Sequence, residues 1–383
     1  MGLRVLTVDI NPASEGLQLA DDYAVISTRD LPSLYRFLDN YQRNGRKIAG
    51  VTTMGSEIPY IVAALSQHLN TPGISPQSAH LATNKYQMKI RLREKNIPLP
   101  WFEEITSVDD LKDTISKRGY PLVIKPLDRS GSRGVFLLDK KCDVEDLFNK
   151  AKSFSYSGRV MAEEFIPGPQ VSTETIMYHG KGVTPGFADR NYSSGQFLPQ
   201  IIENGGWMPS ALSQPERKQA EDLVVRASLA LGITDGVTKG DVVMTEEGPK
   251  IIEIAARLSG GDFCESLVPL SIGVNYVEAA IRIAIGETPD IDALKPKFQR
   301  TVVNRYFFPK PGRLVRIEGI EDILRQNWVK KLQFWYKVGD MVPPVKSHVD
   351  RFGVFVAVGD SRQQVDRRAD WVYRTINIVT EAE

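Results

Sequence analysis

The stretch at residues 121–135 contains residue types that could hold a chain of phosphates. A short apolar run delivers Lys125, and the segment after it contains Gly131 and Gly134. A lysine at a strand end offers a point charge to a phosphate, and glycines let backbone N–H groups approach phosphate oxygens without a Cβ atom in the way. The pattern therefore indicates a nucleotide triphosphate site. An ordinary hairpin turn is the alternative, because short glycine motifs also occur without any ligand.

A second segment, residues 241–261, has the pattern of a β-hairpin that carries metal ligands. Two β-prone runs flank a Glu-Glu-Gly-Pro turn, and their pairing would place Asp241 opposite Glu253. Carboxylate oxygens, with water and phosphates filling the remaining positions, are the ligands that Mg²⁺ prefers. A solvated hairpin face is the alternative. It is disfavoured because Glu253 lies between two isoleucines, and ionised side chains are seldom buried without a partner.

These two segments, together with Thr83-Asn84-Lys85 and residues 160–170, resemble the ATP-grasp superfamily, in the branch of carboxylate–amine ligases such as L-amino acid ligases. The resemblance covers nearly the whole chain and implies an α/β and α+β ATP-grasp fold. It implies ATP-binding roles for the lysines Lys85 and Lys125, for the phosphate-covering loop residues Ser130, Gly131, Ser132 and Gly134, for the adenine-binding hinge residues Glu163, Glu164, Phe165 and Ile166, and for Gln170 at the ribose. It also implies Asp241 and Glu253 as ligands of Mg²⁺ or Mn²⁺, and Arg257 and Lys125 as catalytic residues.

Three positions depart from the pattern that is common in the superfamily. Gln170 stands where many relatives have glutamate, although an amide can still form a hydrogen bond with a hydroxyl group. Asp241 replaces the more frequent glutamate, which changes the metal geometry. Ala255 stands where many relatives have an asparagine that helps to hold a second metal ion, so the sequence predicts weakened binding of that ion. Lys239 either adds positive charge near the phosphates or is a solvated loop residue.

The spacing of helices, strands and turns predicts three units. Residues 1–77 form an α/β unit that resembles the Rossmann-like domain preceding ATP-grasp domains, 78–300 form the ATP-grasp domain with a mobile lid at about 115–180, and 301–383 form a β-rich C-terminal domain. The first strand, glycine loop and helix of the Rossmann-like unit are absent from the sequence. We therefore expect either that the chain starts at an internal methionine or that the unit is trimmed, and that its remaining first strand lies at a sheet edge.

The substrate pockets are less strongly marked than the nucleotide site. Arg190 either pairs with a substrate carboxylate in a bidentate manner or forms a structural salt bridge with Asp189 or another acid. Ser259, Gly260 and Gly261 form a candidate loop near the acyl phosphate. The proposed chemistry requires no histidine, and we expect a surface or packing role for each of the four histidines, His68, His80, His179 and His348.

The composition is that of a well-packed enzyme. The chain has 383 residues, of which 42% are hydrophobic, and its net charge of +1 gives no argument for nucleic acid or an anionic membrane as a partner. It has two cysteines far apart in sequence, which favours a reducing, cytoplasmic location. No run approaches the roughly 20 apolar residues of a membrane span. The partners that we expect are small-molecule carboxylate and amine substrates, and a homodimer is left open.

The resemblance implies an ATP-dependent ligase. A small-molecule carboxylate would be converted to an acyl phosphate and joined to an amine, with release of ADP and phosphate. One alternative is a purine-pathway ligase of the same superfamily, similar to phosphoribosylglycinamide synthetase, which would need a basic pocket for a ribose phosphate. A second alternative is a non-catalytic ATP-binding protein, which Ala255, Gln170 and the absent N-terminal elements motivate.

Overall fold

The computed structural model describes residues 1–192 and 195–382. Its N-terminal part is a two-stranded parallel sheet, β1 and β2, covered by helices. Leu34 and Leu38 of the second helix pack against Leu65 of the third helix. The elements of this part and of the two helices that follow it are β1 (Leu6–Asp9), α1 (Glu15–Leu19), β2 (Asp22–Val25), α2 (Leu31–Arg43), α3 (Pro59–His68), α4 (Pro76–Leu81) and α5 (Lys85–Glu94).

The next unit is a four-stranded antiparallel sheet with two helices packed on it. The strand order is β3-β6-β4-β5. Its strand β4 is buried along its whole length and ends at Lys125 and Pro126, so an apolar strand delivers the lysine as the sequence predicts. The sequence analysis places the start of the mobile lid at about residue 115. Strand β3 lies before that residue but belongs to the same sheet as β4, β5 and β6. The elements are β3 (Phe102–Ile105), α6 (Val108–Arg118), β4 (Leu122–Pro126), β5 (Phe136–Leu138), α7 (Val144–Phe154) and β6 (Val160–Glu164).

An eight-stranded sheet forms the centre of the molecule, in the order β11-β10-β7-β8-β9-β12-β16-β14. Helix α8 packs against β11 and begins with a capping box in which Ser213 and Glu216 satisfy each other's backbone N–H groups. The elements contributed before residue 300 are β7 (Gln170–Tyr178), β8 (Lys181–Arg190), β9 (Gly206–Met208), α8 (Gln214–Ala230), β10 (Gly236–Thr245), β11 (Gly248–Ala255), a π-helical turn (Phe263–Leu267), α9 (Val268–Ile272), α10 (Tyr276–Ala284) and a 3₁₀ turn (Asp292–Leu294).

The C-terminal part extends this central sheet and adds a smaller one. Three of its strands, β12, β16 and β14, continue the eight-stranded sheet, so the sheet crosses the boundary predicted at residue 300. The other three form the sheet β15-β13-β17. The elements are β12 (Thr301–Phe307), β13 (Gly312–Glu318), α11 (Ile320–Leu324), β14 (Val329–Phe334), β15 (Met341–Val342), a 3₁₀ turn (His348–Asp350), β16 (Gly353–Gly359), α12 (Arg362–Thr375) and β17 (Asn377–Glu381).

In residues 1–192 and 195–382, no helix combines the length and the apolar character that crossing a bilayer requires.

Candidate active site

One large cavity lies between the four-stranded sheet, the central sheet and the C-terminal part. Its volume is about 1160 Å³, and every predicted site residue except Gly134 lines it. Gly134 has a φ of +73°, and an added Cβ atom would meet the side chains of Phe154 and Pro126. A glycine is therefore required there for the path of the loop, behind the cavity wall. The structure therefore brings the predicted site residues together around one cavity, and the role of each residue stays a prediction.

The two predicted phosphate-binding lysines are both buried and both paired with acids. Lys85 begins helix α5, whose N-cap is Asn84, and its Nζ lies 2.5 Å from Oε1 of Glu253. Burial opposes the charged form of Lys85, but the carboxylates of Glu253 and Glu57 outweigh burial and raise its pKa. Lys125, at the end of β4, forms an ion pair with Glu163 of β6. Two positive charges therefore face the cavity from different elements.

Lys89 is a buried cation that the sequence analysis missed. Its Nζ lies 3.2 Å from Oε1 of Glu163, so Glu163 is shared between Lys89 and Lys125. Burial lowers the pKa of Lys89 to about 8, although Glu163 opposes the shift. Lys89 follows Lys85 by one helical turn and lies on the same face of α5, which is a signal that the sequence contains.

The predicted acid pair has the geometry that the hairpin pattern implies. Asp241 on β10 and Glu253 on β11 are direct partners in the antiparallel register, and a β-bulge follows Asp241. Asp241 accepts a hydrogen bond from Ser172 at 2.6 Å and contacts Lys239 at 2.5 Å. Lys239 therefore adds positive charge at the site rather than extending into solvent.

Both acids are held ionised. Burial would raise the pKa of Asp241, but Arg190 and Lys239 hold it well below its usual range. Lys85 likewise holds the pKa of Glu253 below its usual range, against the effect of burial. Two ionised carboxylates on adjacent strands fit a Mg²⁺ ion, which takes one or two protein carboxylates together with phosphate and water. Among the described residues no group of three or more His, Cys, Asp or Glu side chains forms a closed metal site.

Arg190 forms structural salt bridges, which is one of the two alternatives that the sequence analysis left open. Its guanidinium lies 2.7 Å from Oε2 of Glu203 and 3.0 Å from Oδ2 of Asp241. Asp189, the acid named first in the sequence analysis, instead accepts hydrogen bonds from Ser210 and Arg362. Arg190 is therefore engaged with two acids, which favours the salt bridge over pairing with a substrate carboxylate.

Arg257 is positioned by an acid from the N-terminal part of the chain. Its Nε lies 2.9 Å from Oε1 of Glu57, and the two residues are 200 positions apart. Burial opposes the charge of Arg257, but Glu57 raises its pKa. The following loop is packed closely, because a Cβ atom on Gly260 would lie 3.1 Å from Cα of Gly55. Glu57 was not identified from the sequence, where nothing local marks it as a site residue.

Glu174 is a fully buried acid beneath this part of the cavity. Neither of its carboxylate oxygens has a hydrogen-bond partner in the described part of the chain, and its strand neighbour in the register is Lys239. Burial raises the pKa of Glu174 to about 7, and the nearby hydroxyl of Ser259, the charges of Lys239 and Arg257 and the hydroxyl of Tyr276 offset this only in part. A carboxyl group in such a place is more stable protonated.

We expect Glu174→Gln to stabilise the protein at alkaline pH. Because the pKa of Glu174 in the folded protein exceeds its ordinary value of 4.5, stability is lost as the pH rises from that value through about 7. The neutral amide avoids this cost, so the variant should be more stable by up to about 3 kcal/mol at about pH 8.5, and by less than about 1 kcal/mol at about pH 5. Urea midpoints at both values check this. Glu145→Gln, which changes an exposed residue of α7, is the control. Equal midpoints of wild type and Glu174→Gln at both pH values would contradict the expectation.

Two protein families and several curated proteins match this chain. Residues 82–261 match the family described as "ATP-grasp domain", and residues 305–381 match "L-amino acid ligase C-terminal domain 2". An uncharacterized protein of Sinorhizobium fredii is 28% identical over 346 residues, which are 88% of this chain and 70% of that protein. Phosphoribosylamine–glycine ligase of Halalkalibacterium halodurans is 25% identical over 306 residues, 76% of this chain and 69% of that protein.

A solved structure confirms the fold. The crystal structure of L-amino acid ligase from Bacillus licheniformis superposes with a TM-score of 0.84 at 21% sequence identity, covering 99% of this chain and 93% of that one. The chain therefore contains an ATP-grasp domain, at residues 82–261, and an L-amino acid ligase C-terminal domain, at residues 305–381. Together with the relatives, these domains indicate an ADP-forming carbon–nitrogen ligase.

Proposed function

We propose that the protein is an ATP-dependent amino-acid ligase that activates the carboxylate of one small molecule and joins it to the amine of another. The observation that carries this proposal is that three ion pairs line one cavity: Lys85 with Glu253, Lys125 with Glu163, and Arg257 with Glu57. The match of the C-terminal part to an L-amino acid ligase domain supports amino acids as the substrate class. The cavity volume of about 1160 Å³ is sufficient for ATP and a small substrate together.

The bond changes of the proposed reaction balance without a covalent enzyme intermediate. A carboxylate oxygen attacks the γ-phosphorus of ATP, the bond to the bridging oxygen breaks, and ADP leaves with that oxygen. The amine nitrogen then attacks the carbonyl carbon of the acyl phosphate, phosphate leaves, and the nitrogen loses a proton. Such a transfer is accelerated mainly by positioning the reactants and by neutralising charge.

The chain supplies the groups that this chemistry needs. We assign Lys85 and Lys125 to the phosphates, and the backbone of residues 163–166 to adenine, with Gln170 at the ribose. Arg257 would neutralise charge on the transferred phosphoryl group, and Glu57 would hold its guanidinium in place. Asp241 and Glu253 would hold Mg²⁺, which when bound neutralises phosphate charge. Ala255 supplies no ligand, so we expect one tightly held ion and a second held mainly by the phosphates and water.

The distribution of cations around the cavity does not favour the purine-pathway alternative. A ribose phosphate needs a cluster of cations in addition to those at the nucleotide. Lysines and arginines that line the cavity and already pair with carboxylates are Lys85, Lys125, Arg190, Lys239, Arg257 and Lys331. Arg129 and Arg133, which also line it, lie in or beside the phosphate-covering loop. We assign Arg129 and Arg133 to ATP. Arg351, which also lines the cavity, donates to the carbonyl oxygen of Glu203 and lies over the ring of Tyr306. The described lining therefore offers no separate cluster of cations for a ribose phosphate, so the amino-acid ligase is the better proposal.

The test is to measure ADP and phosphate release from Mg-ATP with pools of amino acids and small carboxylates, each with and without amines. We expect release that depends on a particular pool and that a Lys125→Ala/Glu253→Ala double variant lacks. Lys150→Ala, which changes an exposed lysine on α7, is the matched control and should retain the activity. Release only with phosphoribosylamine and glycine would replace this proposal by the purine-pathway alternative. Tight ATP binding with no release from any pool would favour a non-catalytic ATP-binding protein.

A further inference from the structure

The phosphate-covering loop is tied to the C-terminal part of the chain by His348. The backbone N–H of His348 donates to the carbonyl oxygen of Gly131 at 2.9 Å, and Nε2 of its ring lies 3.0 Å from Oγ of Ser132. An added Cβ atom on Gly131 would lie 3.9 Å from Cβ of His348, so the two residues are in van der Waals range as well. His348 is thus neither a surface residue nor a simple packing residue, in contrast to the expectation from the sequence.

The ring of His348 acts as a hydrogen-bond acceptor. The backbone N–H of Glu203 points at the same Nε2 atom at 3.1 Å, and a backbone N–H can only donate. Nε2 must therefore be unprotonated, and the hydroxyl of Ser132 then also donates to it. A neutral histidine in one tautomer joins the loop to the segment that carries Glu203.

The conformation of the loop shows why a fastening point matters. Ser132 has a φ of +57°, in the left-handed region where a Cβ atom crowds the following carbonyl oxygen. Within the loop itself the backbone bonds are long, with 3.4 Å from the N–H of Val135 to the carbonyl of Ser132. The shorter contacts of this segment are those made to His348, so the bonds that hold Ser132 in this conformation come from outside the loop.

Further polar contacts connect His348 to the candidate metal ligand Asp241. Glu203 receives the Nε2 contact through its backbone and holds Arg190 at 2.7 Å through its side chain. Arg190 in turn lies 3.0 Å from Asp241. Arg351, three residues after His348, donates to the carbonyl oxygen of Glu203 from the other side. An unbroken series of polar contacts therefore joins the phosphate-covering loop to the acid pair.

We propose that His348 is a positioning residue of the ATP site: it fastens the phosphate-covering loop in its closed position through Gly131 and Ser132, and through Glu203 and Arg190 it links closure of the loop to Asp241. The C-terminal part of the chain then has a direct part in nucleotide binding, besides any role in substrate choice. The inference rests on ATP binding by the ATP-grasp domain and is independent of which amino acids are joined.

The surroundings of His348 keep the ring in the form that the contacts need. Burial lowers the pKa of His348 well below 6.5, the charges of Arg351, Arg190 and Lys239 lower it further, and Asp241 opposes them. The neutral ring is therefore the stable form at neutral pH. Because the pKa of His348 is lowered in the folded protein, the ring keeps its contacts below pH 6.5, while the stability that they contribute decreases as the pH falls from about 6.5 through the lowered pKa.

The test compares three variants in the full-length protein. His348→Phe keeps a ring but removes the acceptor, His348→Gln provides an amide oxygen as acceptor, and Ser132→Ala removes the donor on the loop. The Kd of the non-hydrolysable analogue AMP-PNP with Mg²⁺ is measured for each, together with hydrogen exchange of residues 129–135. We expect His348→Phe to raise the Kd about five- to tenfold and to speed exchange in the loop, and His348→Gln to restore most of the affinity.

The double variant His348→Phe/Ser132→Ala separates this contact from two independent effects. If the two side chains act through one contact, the double variant should bind AMP-PNP no more weakly than His348→Phe alone. Multiplied losses would instead mean that each residue acts separately, which overturns the proposal. Unchanged affinity and unchanged loop exchange in His348→Phe would also overturn it. Nucleotide affinity and loop exchange do not require ligase turnover, so failure of the proposed amino-acid substrates would be distinguishable from failure of this inference.

Discussion

Replacing Glu253 with glutamine is expected to lower kcat for ATP-dependent ligation by about a hundred- to a thousandfold, the loss typical of removing one charged group from a preorganised site. Glu253 has two tasks in the proposed mechanism. Its Oε1 fixes Nζ of Lys85 at 2.5 Å, and its carboxylate faces Asp241 across the β10–β11 hairpin, where it would hold Mg²⁺. The amide keeps the size of the side chain but removes its charge, so both the lysine and the metal ion lose their partner.

Glu247→Gln provides a matched control for this change. Glu247 lies at the exposed turn of the same hairpin and contacts Lys250 at 3.3 Å on the surface. Ion pairs of this kind contribute little to stability, so activity should stay at the wild-type level. The measurement is ADP release in the presence of the substrate pool, followed over a range of Mg²⁺ concentrations. A Glu253→Gln variant with wild-type kcat at saturating Mg²⁺ would remove Glu253 from both roles.

Glu163→Gln is expected to lower the free energy of unfolding by about 3–5 kcal/mol at neutral pH, the cost of removing one partner from a buried ion pair. Glu163 is the shared counter-charge of Lys89 and Lys125, and all three side chains are buried. Without it, Lys89 must either stay charged in an apolar region or release its proton. The pKa of Lys89 is already lowered to about 8 with Glu163 present, so the variant should lower it further.

The loss of stability in Glu163→Gln should depend on pH in a defined direction. With a lowered pKa in the folded state, Lys89 binds fewer protons there than in the unfolded chain, so stability rises with pH. The defect should therefore be smaller at about pH 9 than at about pH 7. Denaturant midpoints at both values check this expectation, and adding Lys89→Met to the variant should recover part of the stability. Glu104→Gln, which breaks the surface pair with Arg159, should cost at most about 1 kcal/mol.

The parts of the site that could be predicted from the sequence are those with a local pattern. The Asp241–Glu253 pairing follows from a short hairpin, and Lys125 follows from an apolar strand with a glycine loop behind it. Each of these signals is contained within a few residues, where strand alternation and turn residues determine geometry. The prediction of an ATP-grasp fold was based on these short motifs taken together, and it is confirmed.

The residues that could not be predicted are those whose partners are distant in sequence. Glu57 meets Arg257 across 200 positions, and His348 meets Ser132 across 216. Neither pair leaves a periodic or compositional mark, because the contacts are produced by the packing of separate units. Glu174 was missed for another reason. A glutamate in a strand looks the same whether its face is solvated or covered, and only the tertiary structure decides which.

The eight-stranded sheet limits how proteins of this architecture can recombine their domains. Strands β12, β16 and β14 are hydrogen-bonded onward from β9, which has only three residues, Gly206–Met208. Recombination at residue 300 would therefore divide a continuous sheet and require a foreign β12 to match the short β9 strand in register. A transplanted C-terminal domain would also have to present its own equivalent of His348 to the host's loop. We therefore expect that a new substrate preference arises through substitutions on the cavity face of this domain, and not through exchange of the whole domain.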